Sequence, residues 1–249
     1  MNTIRQKLIL DFIETHHVVT IRQLQQLCPE VSVMTIHRDL DALEQQGYVV
    51  KVRGGARSVR HAADLGFDIR LQENVEGKLL IAQKALQLLG PNSTVFLDAS
   101  TTNLMLARKL PDIPMNIFTT GPNIAVELCR LQNPNITVCC GTLNRKNMAL
   151  SGPNTLQMLD NIHIDLAFIG VSGCSADAGF TCGTEADMVV KRAVIQRART
   201  TVMMCGSAKF SRIMPYTFAS FADVQYLICD TEIPDSISRI AEKCGVWVL

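Results

Sequence analysis

At about 100 to 200 residues per domain, a chain of 249 residues holds one large domain or a large one with a small companion. Apolar residues at 47% and charged residues at 19% supply a buried core and exclude fibrous and disordered classes. The formal net charge of +1 gives no global attraction to a polyanion, so any nucleic-acid contact must be local.

No apolar run approaches the 18 to 20 or so residues that a membrane-spanning helix needs, so no membrane partner is expected. The first segment meets Asp11 and Glu14 before a secretory core can form, which predicts a cytoplasmic protein. The nine cysteines form no CxxC pair and no histidine-spaced cluster. They are read as reduced, mostly buried thiols, and neither a metal site nor a cofactor is expected.

Charge is uneven along the chain. Residues 1 to 60 carry eight basic and six acidic side chains, and four of the bases (Lys51, Arg53, Arg57, Arg60) fall between 51 and 60, where there is no acid. The first 46 residues read as three helices. Ile4, Leu8, Ile9, Phe12 and Ile13 recur at helical spacing. Thr20 caps a second helix carrying Ile21, Leu24 and Leu27, which Pro29 closes. Ser32 caps a third, with Val33, Ile36, Leu40 and Leu43 on one stripe and Gly47 as its stop. Two short alternating stretches, 48–52 and 56–59, flank Gly54-Gly55 as a hairpin.

Three helices and a basic hairpin are the parts of a winged helix-turn-helix. The stripe on the third helix turns Ser32, Thr35, His37 and Arg38 toward solvent on its N-terminal turns, the part of a recognition helix that meets bases and phosphates. Arg38 suits either a guanine edge or a phosphate. Lys51, Arg53 and Arg57 place the hairpin against the backbone or minor groove, while Asp39 and Asp41 oppose a purely electrostatic mode. A three-helix protein-interaction module is the plainer alternative.

The run Val31-Ser32-Val33-Met34-Thr35-Ile36-His37-Arg38-Asp39-Leu40, continuing to Gly47 and followed by Val52-Arg53-Gly54-Gly55-Ala56, resembles the DNA-binding signature of the DeoR-type transcriptional repressors. His37 stands where that family more often has arginine, and remains a donor to bases or phosphates.

From residue 75 the pattern changes to short apolar strands alternating with helices. Strands are expected at 94–97, 116–119, 136–140, 166–169, 201–205, 224–229 and 246–249, and helices at 76–89, 102–110, 122–131, 153–161, 185–198 and 235–244. This is an α/β arrangement, a mostly parallel sheet covered on both faces. The domains expected are a winged helix-turn-helix over 1–57, a partly helical linker over 58–74 and an α/β effector-binding domain over 75–249.

Successive strands end in loops of small hydroxyl residues and glycine. Asp98, Ser100, Thr101 and Thr102 follow the first, Thr120 and Gly121 the second, Gly141 and then Arg145 the third, Gly170 the fourth, and Lys209 lies beyond the fifth. In a parallel sheet such loops gather outside the carboxyl ends of the strands, where ligands bind. Backbone N–H groups and helix starts there suit a phosphate, with Lys209, Lys191 or Arg145 as the cation. Asp98 suits sugar hydroxyls or a helix cap better than phosphate. Each loop by itself is also ordinary turn chemistry.

This half is similar to the sensor domain of the same family through Lys78, the 98–102 loop, Gly141-Thr142-Leu143, Ser151-Gly152-Pro153, Glu185, Lys191-Arg192 and Lys209-Phe210. The resemblance implies a fold of the ribose-phosphate isomerase and CoA transferase type, binding phosphorylated sugars. The chain departs from that pattern at Ser100, Thr120, Cys140, Gly206 and Ala208. The expected function is a DNA-binding regulator, a repressor of a carbohydrate-utilisation operon, controlled by a phosphorylated sugar. Its partners would be a double-stranded operator, the small effector and further copies of itself in a dimer or tetramer. The competing class is a sugar-phosphate isomerase with an accessory DNA-binding segment, in which Asp98, Glu185 and Lys209 would serve as catalytic groups.

Overall fold

A computed structural model describes residues 2–16, 18–46, 48–52, 54–58 and 66–249. The chain forms two compact units, 1–65 and 66–249. The boundary corrects the expected linker. Residues 67–72 are a helix whose Phe67 is buried in the core of the larger unit, so 66–74 belongs to that unit.

The smaller unit runs α1 (Asn2–His16), β1 (Val18–Thr20), α2 (Ile21–Leu27), α3 (Val33–Gln45), β2 (Val49–Val52) and β3 (Gly55–Ser58). Thr20 caps α2 in a full capping box with Gln23, and the Ser32 hydroxyl accepts from Thr35 N to start α3. The core holds Ile9, Ile13, Leu24, Ile36, Leu40, Leu43 and Val49. Ile4, Leu8 and Val33, expected on the inner faces, are exposed. The stripe on α3 instead includes Asp39, buried at 2% exposure and gripped by Arg5 of α1 at 2.5 Å.

The hairpin is part of a three-stranded antiparallel sheet of order β1-β3-β2. Val52 pairs with Gly55, which leaves Gly54, at φ +82°, in the turn and puts Gly55 in the strand. The expected turn at Gly54-Gly55 is thus displaced by one residue. The expected stop at Gly47 lies outside the described residues.

The larger unit begins with α4 (Phe67–Gln72) and α5 (Val75–Leu86). Its sheet contains β4 (Thr94–Leu97), β5 (Asn116–Thr119), β6 (Asn135–Val138), β9 (Ile164–Gly170), β12 (Ala198–Cys205), β14 (Tyr226–Cys229) and β15 (Trp247–Val248). The order is β15-β14-β12-β9-β4-β5-β6 and every pairing is parallel. Side chains alternate between two cores, as a strand period of two requires. Val95, Leu97, Phe168 and Met204 pack with α5, α6 (Thr101–Lys109) and α7 (Pro122–Leu128) on one face. Phe96, Ala167, Ile169 and Met203 pack with α8 (Pro153–Leu159), α9 (Glu185–Arg197) and α10 (Asp235–Lys243) on the other.

Outside this sheet lie an antiparallel hairpin, β7 (Thr142–Asn144) with β8 (Ala149–Ser151), and a small antiparallel sheet of β10 (Gly173–Ser175), β11 (Gly179–Cys182) and β13 (Tyr216–Ala219). The chain winds outward from β4 through β5 to β6, then returns to the opposite side of β4 as β9. The winding therefore reverses between β4 and β9, the switch point at which open α/β sheets bind ligands.

Candidate functional site

In the smaller unit α3 presents its first turns outward. Ser32 and Arg38 are exposed, and Thr35 and His37 are half-buried. The Ser32 and Thr35 hydroxyls share a hydrogen bond of 3.0 Å. Lys51 is half-buried, ion-paired with Asp41, and its backbone N–H donates to Glu44 at 2.7 Å. The hairpin is thereby tied to the C-terminal half of α3. Arg53 lies outside the described residues.

Arg57, expected on the DNA side, is corrected: it is buried at 7% exposure. It stands on β3, the central strand of the three, all of whose residues are buried. The acids also differ from expectation. Asp39 faces inward on Arg5 and Gln6, and Asp41 is occupied by Lys51, so neither is a bare carboxylate opposing phosphate.

In the larger unit the switch point holds a buried ionic cluster. Asp98 Oδ1 accepts from Ser100 N at 3.0 Å and Asn103 Nδ2 at 2.7 Å, while Oδ2 accepts from Gly170 N at 2.9 Å and from Lys191 Nζ. A carboxylate offers about four acceptor positions, and here all are taken from within. Asp98 is thus a staple joining the β4 loop to the end of β9, with its group turned inward. Lys191 also donates to Gly170 O at 2.8 Å and lies 3.7 Å from Asp187.

Burial alone would lower Lys191, but the Asp187 and Asp98 carboxylates outweigh it and hold the ammonium above its ordinary value. Burial would raise Asp98, yet Lys191 and the other donors bring it below the usual range. Asp187 has fewer bonds, and burial raises it against the pull of Lys191.

The other expected ligand groups are distributed around this cluster. Ser100 caps α6, accepting from Asn103 N at 3.1 Å, and a Cβ on Gly170 would lie 2.3 Å from Ser100 Cβ, which explains glycine there. Thr101 is buried and Thr102 half-buried. Thr120 O accepts from Leu150 N, and Gly121 N donates to the Thr119 hydroxyl. Gly141, at φ +146°, packs against Thr155 and Ser151. Arg145 is exposed on the turn joining β7 to β8, and the half-buried Lys209 ends the 3-10 turn Ser207–Lys209.

Beside the cluster opens a small depression lined by Thr120, Asn144, Asn147, Ser151, Thr184 and Asp187 among others. Of these only Thr120 was foreseen. Asp187 and Lys191, four apart on an expected helix, were a legible pair. Arg70 was hidden in the supposed linker. Its half-buried guanidinium lies 5.8 Å from the Phe67 ring centroid and has no hydrogen-bond or ion-pair partner among the described residues. Burial lowers its pKa, opposed by the charges of Asp187 and Asp98. The Lys78 ammonium fastens this helix by donating to Arg70 O and Glu73 O, and its burial lowers it to about 8. At the other end Phe67 N donates to Lys146 O at 2.7 Å.

Residues 5–62 match the DeoR-like helix-turn-helix domain and residues 73–231 match the DeoR C terminal sensor domain. The chain is 30% identical to the L-fucose operon activator of Haemophilus influenzae over 98% of each chain. It is 31% identical to the HTH-type transcriptional repressor GlcR of Bacillus subtilis, over 97% of this chain and 93% of that one. It is also similar to ribose 5-phosphate isomerase A of Methanocaldococcus jannaschii, at 15% identity and a TM-score of 0.42 over 56% of each chain, a likeness that bears on neither activity nor ligand. With both domain matches and relatives aligned along nearly its full length, the chain belongs to the DeoR family and is a DNA-binding transcriptional regulator.

Proposed function

We propose that this regulator represses a carbohydrate-utilisation operon in the cytoplasm, binding repeated half-sites as a dimer or tetramer and responding to a phosphorylated sugar. The observation that carries the reading is the small depression formed by Thr120, the β7–β8 hairpin and the start of α9, whose Asp187 lies 3.7 Å from Lys191 of the ionic cluster. The hydroxyl, amide and carboxylate groups of Thr120, Ser151, Thr184, Asn144, Asn147 and Asp187 suit a polyol. Arg70, Arg145 and Lys209 are cations suited to its phosphate. Ser100, Thr101, Thr102, Gly121, Gly141 and Gly170 shape the loops around it, and Asp98 acts by holding them. An anion drawn to Arg70 acts on α4, the first helix of the larger unit. The named role of the fucose relative supports a sugar operon.

Turnover is not part of the proposal. A base for isomerisation must reach its substrate, whereas Asp98 is filled by four internal donors and Lys191 is held between two acids. An aldose-ketose assay with phosphorylated pentoses and hexoses is expected to show no rate above buffer.

The test uses the full chain and duplexes it selects from a random library, read by fluorescence anisotropy. Arg38→Ala is expected to weaken binding about 5- to 150-fold, the range of one good base contact. Undiminished binding would remove α3 as the reading helix. Among phosphorylated sugars, at least one should change operator affinity about 5- to 150-fold, with the unphosphorylated sugar inert. If none does, the sensor reading fails while DNA binding stands.

A further inference from the structure

We infer that Met34 reads the C5-methyl group of a thymine lying within two base pairs of the base contacted by Arg38. The inference deepens the reading of α3 as the helix that enters the major groove, and rests on it.

Met34 is the second residue of α3 and is 64% exposed. The core of this unit takes Ile36, Leu40 and Leu43 from α3, so folding makes no use of the Met34 side chain. A single exposed methionine is unremarkable by itself. Its position gives it meaning. Met34 and Arg38 are four residues apart, which places them on one face of the helix a turn apart. The neighbouring polar groups are turned to one another: Ser32 to Thr35, Lys51 to Asp41, Asp39 to Arg5. Arg38 has no hydrogen-bond or ion-pair partner among the described residues. The face offered to a duplex therefore holds one long apolar chain beside one guanidinium, with Val33, 38% exposed, and the partly exposed His37 on its flanks.

In the major groove the apolar feature of a base edge is the thymine methyl, while guanine offers the acceptors an arginine takes. A flexible thioether covers a methyl without asking for a polar partner. One helical turn rises about 5.4 Å, against about 3.4 Å per base pair, so the two contacts fall one or two base pairs apart. The preferred half-site should thus contain a guanine and a thymine at that spacing.

The test is anisotropy of the full chain on duplexes selected from a random library, with deoxyuridine replacing thymine one position at a time. Uracil removes the methyl and leaves the pairing edge intact. For the wild type, one or two positions should lose about 4-fold, the value of one buried methyl. Met34→Ala should weaken binding to the thymine duplex by a similar factor and then be indifferent to uracil there, while Met34→Leu keeps the sensitivity. Equal uracil sensitivity in Met34→Ala and wild type overturns the inference, as does a wild type indifferent at every thymine. Either result leaves α3 in the groove. Unchanged affinity on Arg38→Ala removes the helix itself and this inference with it. Circular dichroism of each variant separates lost contacts from lost fold.

Discussion

Replacing Lys191 by methionine is expected to destabilise the larger unit by about 3 to 5 kcal/mol, because it strips the partner from a buried carboxylate. The side chains of Lys191 and Asp98 are 5% and 6% exposed, so water cannot replace what is lost. Asp98 would then face Asp187 with no cation between them. The double variant Lys191→Met, Asp98→Asn should recover part of the loss, since the stranded charge is gone. Urea unfolding of the full chain, followed through the transition of the larger unit, measures both. A loss below about 1 kcal/mol for the single variant would mean that the pair does not hold the switch point together.

The pH dependence has a definite sign. Asp98 is depressed in the folded chain, so its contribution is present above the ordinary carboxylate value and is lost as pH falls through the folded one. Lys191 is raised, so its contribution is complete below the ordinary lysine value and is lost as pH rises through the folded one. The difference between wild type and Lys191→Met should shrink as pH falls, once the stranded Asp98 of the variant protonates, and again at strongly alkaline pH, where Lys191 loses its charge.

Gly55→Ala should have the larger effect on the DNA-binding unit. A Cβ at this position would lie 1.9 Å from Val19 O and 2.9 Å from Thr20 Cα, backbone atoms of the strand paired with it. Neither can move without opening β1 from β3. The cost should exceed about 4 kcal/mol, and operator binding should disappear with the fold of this unit. Gly54→Ala is the control. Nothing lies within 4 Å of its added Cβ, and only the strain of φ +82° remains, about 1 to 2 kcal/mol. Equal losses for the two variants, by thermal unfolding, would refute the assigned close approach. The sequence shows two adjacent glycines; one serves the turn and the other the approach of a neighbouring strand.

Much of the architecture was legible because its signals are local. All seven strands of the parallel sheet were expected within a few residues, since most of them are compact apolar runs. The antiparallel additions were missed. Strands such as β7, β8 and β10 have three residues each, too few to establish a period. The short strand β1 was missed as well; it pairs with β3 and makes it the central strand of the sheet, where Arg57 is buried. Helix α4 has six residues and gives no periodic signal, so Arg70 passed as linker. The loops around the candidate crevice were expected at the strand ends, but most of the residues that line it come from the β7–β8 hairpin and the start of α9.

By itself the sequence determined the family, the α/β class, the caps of α2 and α3 and the outward turn of Arg38. The caps and the turn of Arg38 depend on spacing within about a dozen residues, the α/β class on the alternation of such segments, and the family on resemblance to known motifs. Only the tertiary structure decided that Asp98 is filled by Lys191, 93 residues away, that Asp39 belongs to Arg5 and that Arg57 is interior. A charge looks the same in a sequence whether it meets solvent or a partner. Which it meets is settled by desolvation, and desolvation exists only once distant segments have packed.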